Sequence, residues 1–282
     1  MNALDRRITP ARPDLAAEFL RGKVEAAAFA PGRRLRVAAA AADMRRAPTP
    51  DAGLETQALH GEAVTVYEMQ DGWAWGQIAA DGYVGYLRAE ALDAWTAPTH
   101  RVSVPRTFVY PGASIKLPIS LALSLNAAVT VAQTHGDFAV LADGRCVWAA
   151  HLAPMGAAVT DFVAVAESLS HTPYLWGGKT SLGLDCSGLV QLALAAAGIA
   201  APRDSDMQER VTGAPLALDT APSDLRRGDL VFWKGHVGNL RDAGTLLHAS
   251  GHQMMVASEP LDVARERIAA KSYGAVTALR RP

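Results

Sequence analysis

A cysteine at the predicted start of a helix is the residue of this sequence best placed to do chemistry. Cys186 follows Asp185 and precedes Ser187-Gly188 and an apolar run, Leu189–Ala197, that ends at Gly198. Asp is a favourable N-cap and Gly a common helix terminator, so the pattern predicts a helix that begins at the cysteine. The helix dipole and the unpaired N–H groups of the first turn favour a thiolate there, which indicates a nucleophile.

Two histidines further along the chain could supply a base for this thiol. His236 and His248 flank a predicted hairpin, and a turn centred on Asp242 would place them directly opposite each other. Opposed residues of an antiparallel pair project to the same face of the sheet. Nucleophilic catalysis needs a thiolate, a base and a third polar group that orients the base. In this interpretation His236 takes the proton from Cys186, and His248 holds the His236 ring.

Two simpler interpretations compete with catalysis. A buried cysteine is usually inert, which is the expectation for Cys146 because it lies inside a predicted strand. Cys186, His236 and His248 could also bind zinc, although no Cys-x-x-Cys spacing or Glu partner supports a metal site. The residues alone favour the catalytic interpretation and leave the zinc site open. No cofactor or metal is predicted.

Composition limits the classes of partner and compartment. The chain has 282 residues, half of them hydrophobic and a fifth charged, which fits an ordered protein of two or three domains. Its net charge of -1 predicts neither a nucleic-acid nor a membrane partner. Its two cysteines are expected in different domains, so no disulfide framework is predicted. The first residues lack the apolar segment of a secretion signal, which predicts a cytoplasmic protein; a removed signal would leave the same pattern.

The sequence changes character twice along its length. Residues 1–34 are expected to form an N-terminal extension with a short helix at Asp14–Lys23. A unit of aromatic residues, strands and an Asp-Gly turn then occurs twice, which predicts small β-barrels at residues 35–97 and 98–155. Residues 156–282 place helices before antiparallel strands, which is typical of an α+β domain. Its predicted elements are helices at Val159–Ser168 and from Cys186, and strands at Leu230–Trp233, Val237–Leu240, Thr245–Ala249 and Met254–Ala257.

Six ordered motifs in residues 156–282 resemble those of the NlpC-like cell-wall cysteine peptidases. They are Pro173-Tyr174-Leu175-Trp176-Gly177-Gly178, Asp185-Cys186-Ser187-Gly188-Leu189-Val190, Pro202-Arg203-Asp204-Ser205, Gly228-Asp229-Leu230-Val231-Phe232, His236-Val237-Gly238 and His248-Ala249. The resemblance implies a papain-like fold preceded by bacterial SH3-like barrels. It also implies hydrolysis of murein peptides between γ-D-Glu and a diamino acid, diaminopimelate or Lys. Asn239 departs from the family pattern, which raises a question about local packing.

The resemblance also implies roles for residues of the catalytic site. Cys186 matches the nucleophile, His236 the base and His248 the third member. Tyr174 matches a tyrosine whose hydroxyl helps to polarise the scissile carbonyl. The backbone N–H of Cys186, at the helix start, would also meet the oxyanion.

One subgroup of the family resembles this chain in having two SH3-like domains, and it acts on free peptides that begin with L-Ala. Recognition of the substrate's ammonium group needs an anionic partner and acceptors. The matching positions are Asp185, Ser187 and Ser205 in the α+β domain, with Glu55 and Tyr83 as the expected contributors from the first barrel. Arg203 is a candidate for binding the substrate's carboxylates. Arg203 could instead be structural, Tyr83 a barrel aromatic and Glu55 a solvated loop charge.

The leading hypothesis is therefore a cytoplasmic cysteine endopeptidase that acts on free murein peptides with an unblocked L-Ala. A secreted hydrolase anchored to the cell wall by its SH3-like barrels is a second possibility. A non-catalytic module that binds a wall ligand or a metal is a third.

Overall fold

The computed structural model describes residues 4–282, so the first three residues of the expected extension lie outside it. The chain divides into an N-terminal unit, Met1–Met155, and a C-terminal unit, Gly156–Pro282. The N-terminal unit is built from strands and short 3₁₀ turns, and all four α-helices of the described residues lie in the C-terminal unit. Among the described residues, no helix has the length and apolar character needed to cross a membrane.

The N-terminal extension packs on the first β-domain without forming the predicted helix. Strands β1 (Leu15–Ala17) and β2 (Ala28–Ala30) pair in parallel, and a 3₁₀ turn covers Glu18–Leu20. The prediction of a helix at Asp14–Lys23 is wrong because pairing between β1 and β2 overrides the local helix propensity. The Arg12 guanidinium lies 4.4 Å from the centre of the Trp75 ring and 2.8 Å from Glu68.

The first β-domain is one seven-stranded antiparallel sheet. Its strands are β3 (Arg33–Val37), β4 (Ala41–Arg45), β5 (Leu54–Leu59), β6 (Ala63–Gln70), β7 (Trp73–Ile78), β8 (Val84–Arg88) and β9 (Leu92–Ala94). They lie in the order β5-β4-β8-β7-β6-β3-β9, and a 3₁₀ turn, Ala89–Ala91, joins β8 to β9. The Asp71-Gly72 turn has φ of 50° and 79°, which is the left-handed geometry that a two-residue hairpin requires.

The second β-domain has two sheets around its own small core. Its strands are β10 (His100–Val102), β11 (Arg106–Tyr110), β12 (Leu121–Ser124), β13 (Ala128–Val129), β14 (Val131–His135), β15 (Phe138–Leu141), β16 (Cys146–Trp148) and β17 (Leu152–Pro154). They form a three-stranded sheet, β13-β10-β17, and a five-stranded sheet, β12-β11-β16-β15-β14. A 3₁₀ turn at Ala149–His151 precedes β17. Cys146 is buried and free, as expected of a core residue.

The C-terminal unit packs helices on both faces of an antiparallel sheet. Its elements are α1 (Phe162–Ser168), β18 (Lys179–Thr180), β19 (Gly183–Leu184), α2 (Cys186–Ala196), α3 (Ser205–Val211), β20 (Ala214–Leu216), a 3₁₀ turn (Pro222–Asp224), β21 (Leu230–Trp233), β22 (His236–Asp242), β23 (Thr245–Ser250), β24 (Met255–Pro260), α4 (Leu261–Lys271) and β25 (Val276–Arg281). The six-stranded sheet has the order β20-β25-β21-β22-β23-β24. The predicted α+β architecture is confirmed.

Alternation along β22 assigns its residues to two apolar cores. Val237 packs with Val190 and Leu194 of α2, whereas Leu240 packs with Ala264 and Ile268 of α4. Successive side chains of a strand point to opposite faces, so a single strand contributes to both cores. The helix that begins at Cys186 therefore lies against one face of the strand that begins at His236.

The register of the β22–β23 hairpin differs from the prediction. Leu240 pairs with Leu246 and Asp242 with Thr245, and the register shifts between Leu240 and Asp242. A bulge at this point moves the pairing relative to a symmetric turn centred on Asp242. His236 is consequently not directly opposite His248, and the position across from His248 is Gly238.

Candidate active site

The nucleophile candidate lies at the start of α2, as the sequence predicts. Asp185 is the N-cap, and its carboxylate accepts a 2.7 Å hydrogen bond from the Gly188 amide. Cys186 is the first residue of the helix and is buried against Val190, Phe232 and Val237. The backbone N–H of Val237 is a hydrogen-bonding partner of the thiol, so Sγ lies beside the residue that follows His236.

The resting protonation state of Cys186 differs from the expectation of a thiolate. Burial is the main cause that raises the pKa of the Cys186 thiol to about 12, and the nearby Asp185 carboxylate contributes to the rise. Hydrogen bonding from Val237 and the positive charge of Arg203 act in the opposite direction and are weaker. Desolvation of the sulfur therefore outweighs the helix N-terminus, and the thiol is protonated at neutral pH.

His236 and His248 are in direct hydrogen-bond contact despite the shifted register. His236 Nε2 lies 2.7 Å from His248 Nδ1, and the two ring centres are 5.0 Å apart. Gly238 makes this diagonal contact possible, since a Cβ there would lie 3.0 Å from the Cβ of His248 and 2.7 Å from Leu246 Cδ1. A side chain at this position would displace one of the two neighbours.

Glu259 and Arg267 extend the histidine pair, and sequence reasoning missed both. Glu259 Oε1 lies 2.8 Å from His248 Nε2, and the Arg267 guanidinium forms an ion pair with the same carboxylate. Hydrogen bonding to His248 lowers the pKa of Glu259, and Arg267 lowers it further. In the β23–β24 register His248 is opposite Ala257, so Glu259 is its diagonal neighbour. Only the pairing of β23 with β24 indicates that the Glu259 carboxylate lies near His248.

The hydrogen bonds assign the tautomers of both rings. An ionised Glu259 can only accept, so His248 Nε2 donates to it and His248 Nδ1 is left as an acceptor. His236 Nε2 must then donate to His248, which leaves the lone pair on His236 Nδ1. That nitrogen is the one available to take a proton from a nucleophile.

Aromatic residues enclose the His236 ring. Tyr273 stacks on it with ring centres 5.4 Å apart and an interplanar angle of 6°, and Trp233 lies 5.6 Å away. Burial lowers the pKa of His236 to about 3, and the neighbouring His248 and Arg267 contribute to the shift. The imidazole is therefore neutral at rest, as a general base must be.

Tyr174 is held next to the nucleophile. Its backbone N–H donates to Met254 O at 2.9 Å, and the following residue, Leu175, donates to Leu184 O. Burial raises the pKa of the Tyr174 hydroxyl, and the negative charges that Cys186 and Asp185 can carry raise it further. The phenol therefore remains protonated and can donate a hydrogen bond to a developing oxyanion.

Arg203 organises the loop around the helix start. Its guanidinium is buried and lies 2.7 Å from Asp185 Oδ2 and 2.9 Å from both Asp185 Oδ1 and Ser187 Oγ. Asp185 also accepts from the Gly177 amide at 2.9 Å. Both oxygens of Asp185 are thus engaged by protein donors. The ion pair with Arg203 and the bond from Gly177 add to the N-cap role that the sequence predicts for Asp185.

Asn239, the departure from the family pattern, is buried in β22. Neither polar atom of its side chain has a hydrogen-bond partner within residues 4–282. The polar group carries a desolvation cost and leaves the catalytic residues in place.

The part of the chain that the structure describes contains no group of three or more His, Cys, Asp or Glu side chains arranged to hold a metal ion. The zinc arrangement left open by the sequence is therefore not assembled within residues 4–282.

Family models match both units of the chain. Residues 44–92 match the bacterial dipeptidyl-peptidase Sh3 domain, and residues 171–272 match the NlpC/P60 family. The second match spans Tyr174, Cys186, His236 and His248. The chain contains an NlpC/P60 cysteine peptidase domain.

Curated relatives and solved structures agree with this assignment. The chain is 29% identical to a gamma-D-glutamyl-L-lysine dipeptidyl-peptidase of Bacillus subtilis, over 73% of this chain and 76% of the relative. A protein of the same name from Bacillus cereus is 28% identical over 74% of this chain and 71% of its own length. An NlpC/P60 family protein from Bacillus cereus has the same fold, with a TM-score of 0.72 and 21% identity over 88% of this chain and 99% of that one.

The remaining site candidates fall in two places. Ser205 is the first residue of α3, directly after Arg203-Asp204. Glu55 and Tyr83 belong to the N-terminal unit, where the Tyr83 hydroxyl lies 3.4 Å from Glu55 Oε2 and Arg46 lies 2.6 Å from Glu55 Oε1. Both line a cavity of about 370 Å³ in the first β-domain, so the structure brings these two residues together.

Proposed function

We propose that this protein is an endopeptidase that cleaves murein peptides between γ-D-Glu and the diamino acid and requires a free N-terminal L-Ala. The observation that carries the proposal is that the Cys186 thiol, at the start of α2, lies beside Val237 of β22, and that the first residue of this strand, His236, is hydrogen-bonded to His248. Similarity over 73% of the chain to a relative named for γ-D-glutamyl-L-lysine bonds supports this substrate class.

The first half of the reaction forms a thioester. His236 Nδ1 takes the proton of the Cys186 thiol as Sγ attacks the γ-carbonyl of D-Glu. The negative charge on the carbonyl oxygen is met by the Cys186 amide and the Tyr174 hydroxyl. His236 then returns its proton to the amine of the diamino acid, the C–N bond breaks, and L-Ala-γ-D-Glu remains bound to sulfur.

The second half restores the enzyme. His236 Nδ1 takes a proton from a water molecule, whose oxygen attacks the thioester carbonyl. Collapse of the tetrahedral adduct breaks the C–S bond, and the proton on His236 returns to Sγ. Because the resting thiol and imidazole are both neutral, each proton transfer to His236 accompanies bond formation at carbon, and each transfer from His236 accompanies bond cleavage there.

Glu55 and Tyr83 are the proposed acceptors for the substrate's ammonium group. Glu55 supplies a carboxylate, and the Tyr83 side chain is buried beside it. Ser187 and Ser205 are the proposed contributors from the peptidase domain, and the buried Arg203 donates to Ser187 Oγ and so orients it. A requirement for a free amine selects peptides already released from the wall, so we propose a role in murein peptide recycling in the cytoplasm.

The test compares L-Ala-γ-D-Glu-diaminopimelate with its N-acetylated analogue, with products measured by mass spectrometry. We expect release of L-Ala-γ-D-Glu from the free peptide and little from the acetylated one, because acetylation removes the positive charge. Equal cleavage of both peptides would contradict the amine site. Cleavage of neither would contradict the endopeptidase itself.

A further inference from the structure

A cavity of about 280 Å³ lies against the histidine pair, within the C-terminal unit. We call it the basic cavity and define it by the side chains of His236, His252, Lys271 and Tyr273, with Ser250 and Ser272. His248 and Arg267 also line it, and no Asp or Glu does. The catalytic steps proposed above use the histidine pair and give no role to His252, Lys271 or the two serines.

The charge of the basic cavity is set mainly by Lys271. Arg267 is balanced by its ion pair with Glu259. Lys271, the last residue of α4, and His252, in the turn after β23, are exposed. Within residues 4–282 neither has an ion pair. The cavity therefore presents a positive charge, an imidazole and hydroxyl groups that an anionic group could contact.

The reaction places the leaving group beside this cavity. His236 must hand its proton to the amine nitrogen of the departing diamino acid, so that nitrogen comes within hydrogen-bond reach of the ring. The α-carbon and its substituents follow directly from this nitrogen. Part of the diamino acid thus lies next to His236, and the basic cavity is a neighbouring space lined by the same ring.

We propose that the basic cavity binds a carboxylate of the leaving diamino acid, with Lys271 as its charge partner. This inference rests on the proposed endopeptidase function and adds a specificity determinant to it. Two carboxylates have the required chemistry: the α-carboxylate of a C-terminal diamino acid, and the side-chain carboxylate that diaminopimelate has and Lys lacks. Lys271 is exposed, so its contribution to binding is that of a solvated ion pair.

The experiment measures kcat and KM for wild type and Lys271→Gln on three peptides. They are L-Ala-γ-D-Glu-diaminopimelate, L-Ala-γ-D-Glu-L-Lys, and the C-terminal amide of the second. Arg265→Gln is the matched control, because it removes one positive charge from an exposed position of α4 that does not line the cavity. We expect Lys271→Gln to raise KM about fivefold for carboxylate-bearing substrates with kcat unchanged, and Arg265→Gln to change neither.

The pattern among peptides identifies which carboxylate is bound. A rise in KM for the diaminopimelate peptide alone supports the side-chain carboxylate. A rise for both acids but not for the amide supports the α-carboxylate. An equal response of all three peptides, or no response, overturns the basic cavity as a carboxylate site while the endopeptidase stands. Failure of wild type to cleave any of the three contradicts the proposed function, and this inference with it.

Discussion

Glu259 determines which nitrogen of each histidine carries a proton. Its carboxylate accepts a hydrogen bond from His248 Nε2, and His248 Nδ1 in turn accepts one from His236 Nε2. Arg267 holds the carboxylate in place and keeps it ionised. Glu259 therefore acts as a positioning residue. Through two hydrogen bonds it keeps the lone pair of His236 on Nδ1, where the ring acts as a base.

Replacement of Glu259 by Gln should lower kcat about tenfold or more, because a Gln amide can donate to His248 as well as accept and no longer fixes the tautomers. KM should change little, and Glu259→Asp should recover part of the activity. The pH profile of kcat should also change, which a purely structural role would not produce. Glu266→Gln, at an exposed position of α4, is the control. Unaltered kcat and pH profile in Glu259→Gln would remove this role.

The reactivity of the Cys186 thiol provides a second test at the scale of a residue. Because burial raises the pKa of Cys186 to about 12, only a small fraction is thiolate at neutral pH. Alkylation of Cys186 by iodoacetamide, mapped by mass spectrometry to its own peptide, should be slow near neutral pH and accelerate with each further rise. Cys186→Ala protein reports background labelling of Cys146. A rate that is already constant below about pH 7 would instead indicate a preformed thiolate–imidazolium pair.

At the scale of elements, local signals predicted α2 and β21 well and the hairpin register poorly. Asp185 and Gly198 bracket α2 in the sequence, so both ends of the helix could be located. The bulge next to Arg241 has no sequence signal of comparable strength, and it shifted the pairing across the hairpin. The histidine contact was still anticipated, since diagonal neighbours on one face remain within reach of long side chains.

Gly238 tests whether this hairpin geometry matters for catalysis. Gly238→Ala would place a Cβ 3.0 Å from the Cβ of His248 and 2.7 Å from Leu246 Cδ1, so His248 or Leu246 must move. We expect kcat to fall about tenfold or more, with a loss of about 1–3 kcal/mol in the free energy of unfolding. Kinetics and urea denaturation measure the two effects.

Gly244→Ala is the control in the same hairpin, because its nearest neighbour would be Asp242 Oδ1 at an ordinary 3.8 Å. It should keep nearly full activity. If Gly238→Ala proves as active as Gly244→Ala, the hydrogen bond between the histidines does not depend on a glycine at this position.

At the scale of the whole molecule, the ordered motifs predicted the α+β peptidase domain, whereas residues joined by distant contacts were missed or given other roles. Glu259 and Arg267 could not be predicted from the sequence, because only the β23–β24 register and the position of α4 bring them close to His248. For Arg203 the sequence leaves a substrate role and a structural role open, because it cannot show that Arg203 and Asp185 form a buried ion pair with each other. The helix predicted in the N-terminal extension does not form, because β1 pairs with β2 across the segment that separates them.

Buried histidine also couples the stability of the protein to pH. The pKa of His236 is lowered from 6.5 to about 3, so between these values the unfolded chain binds a proton that the folded protein does not. Stability should therefore fall as pH decreases below about 6.5, by up to about 1.4 kcal/mol per pH unit for this one group. Urea denaturation of wild type and His236→Gln at about pH 6.5 and about pH 5 measures the difference.

The His236→Gln variant should lose less stability than wild type over this interval. His60, whose pKa burial also lowers, contributes in the same direction to both proteins and cancels in the comparison. Equal pH dependence of the two proteins would show that His236 does not take up its proton on unfolding.

The most direct test of the account is acid-quench mass spectrometry during turnover of L-Ala-γ-D-Glu-diaminopimelate. We predict a thioester adduct of L-Ala-γ-D-Glu on the peptide that contains Cys186, and neither adduct nor product with Cys186→Ala. Product formation that continues in Cys186→Ala, or an acyl group found on a different residue, would contradict the assignment of Cys186 as the nucleophile.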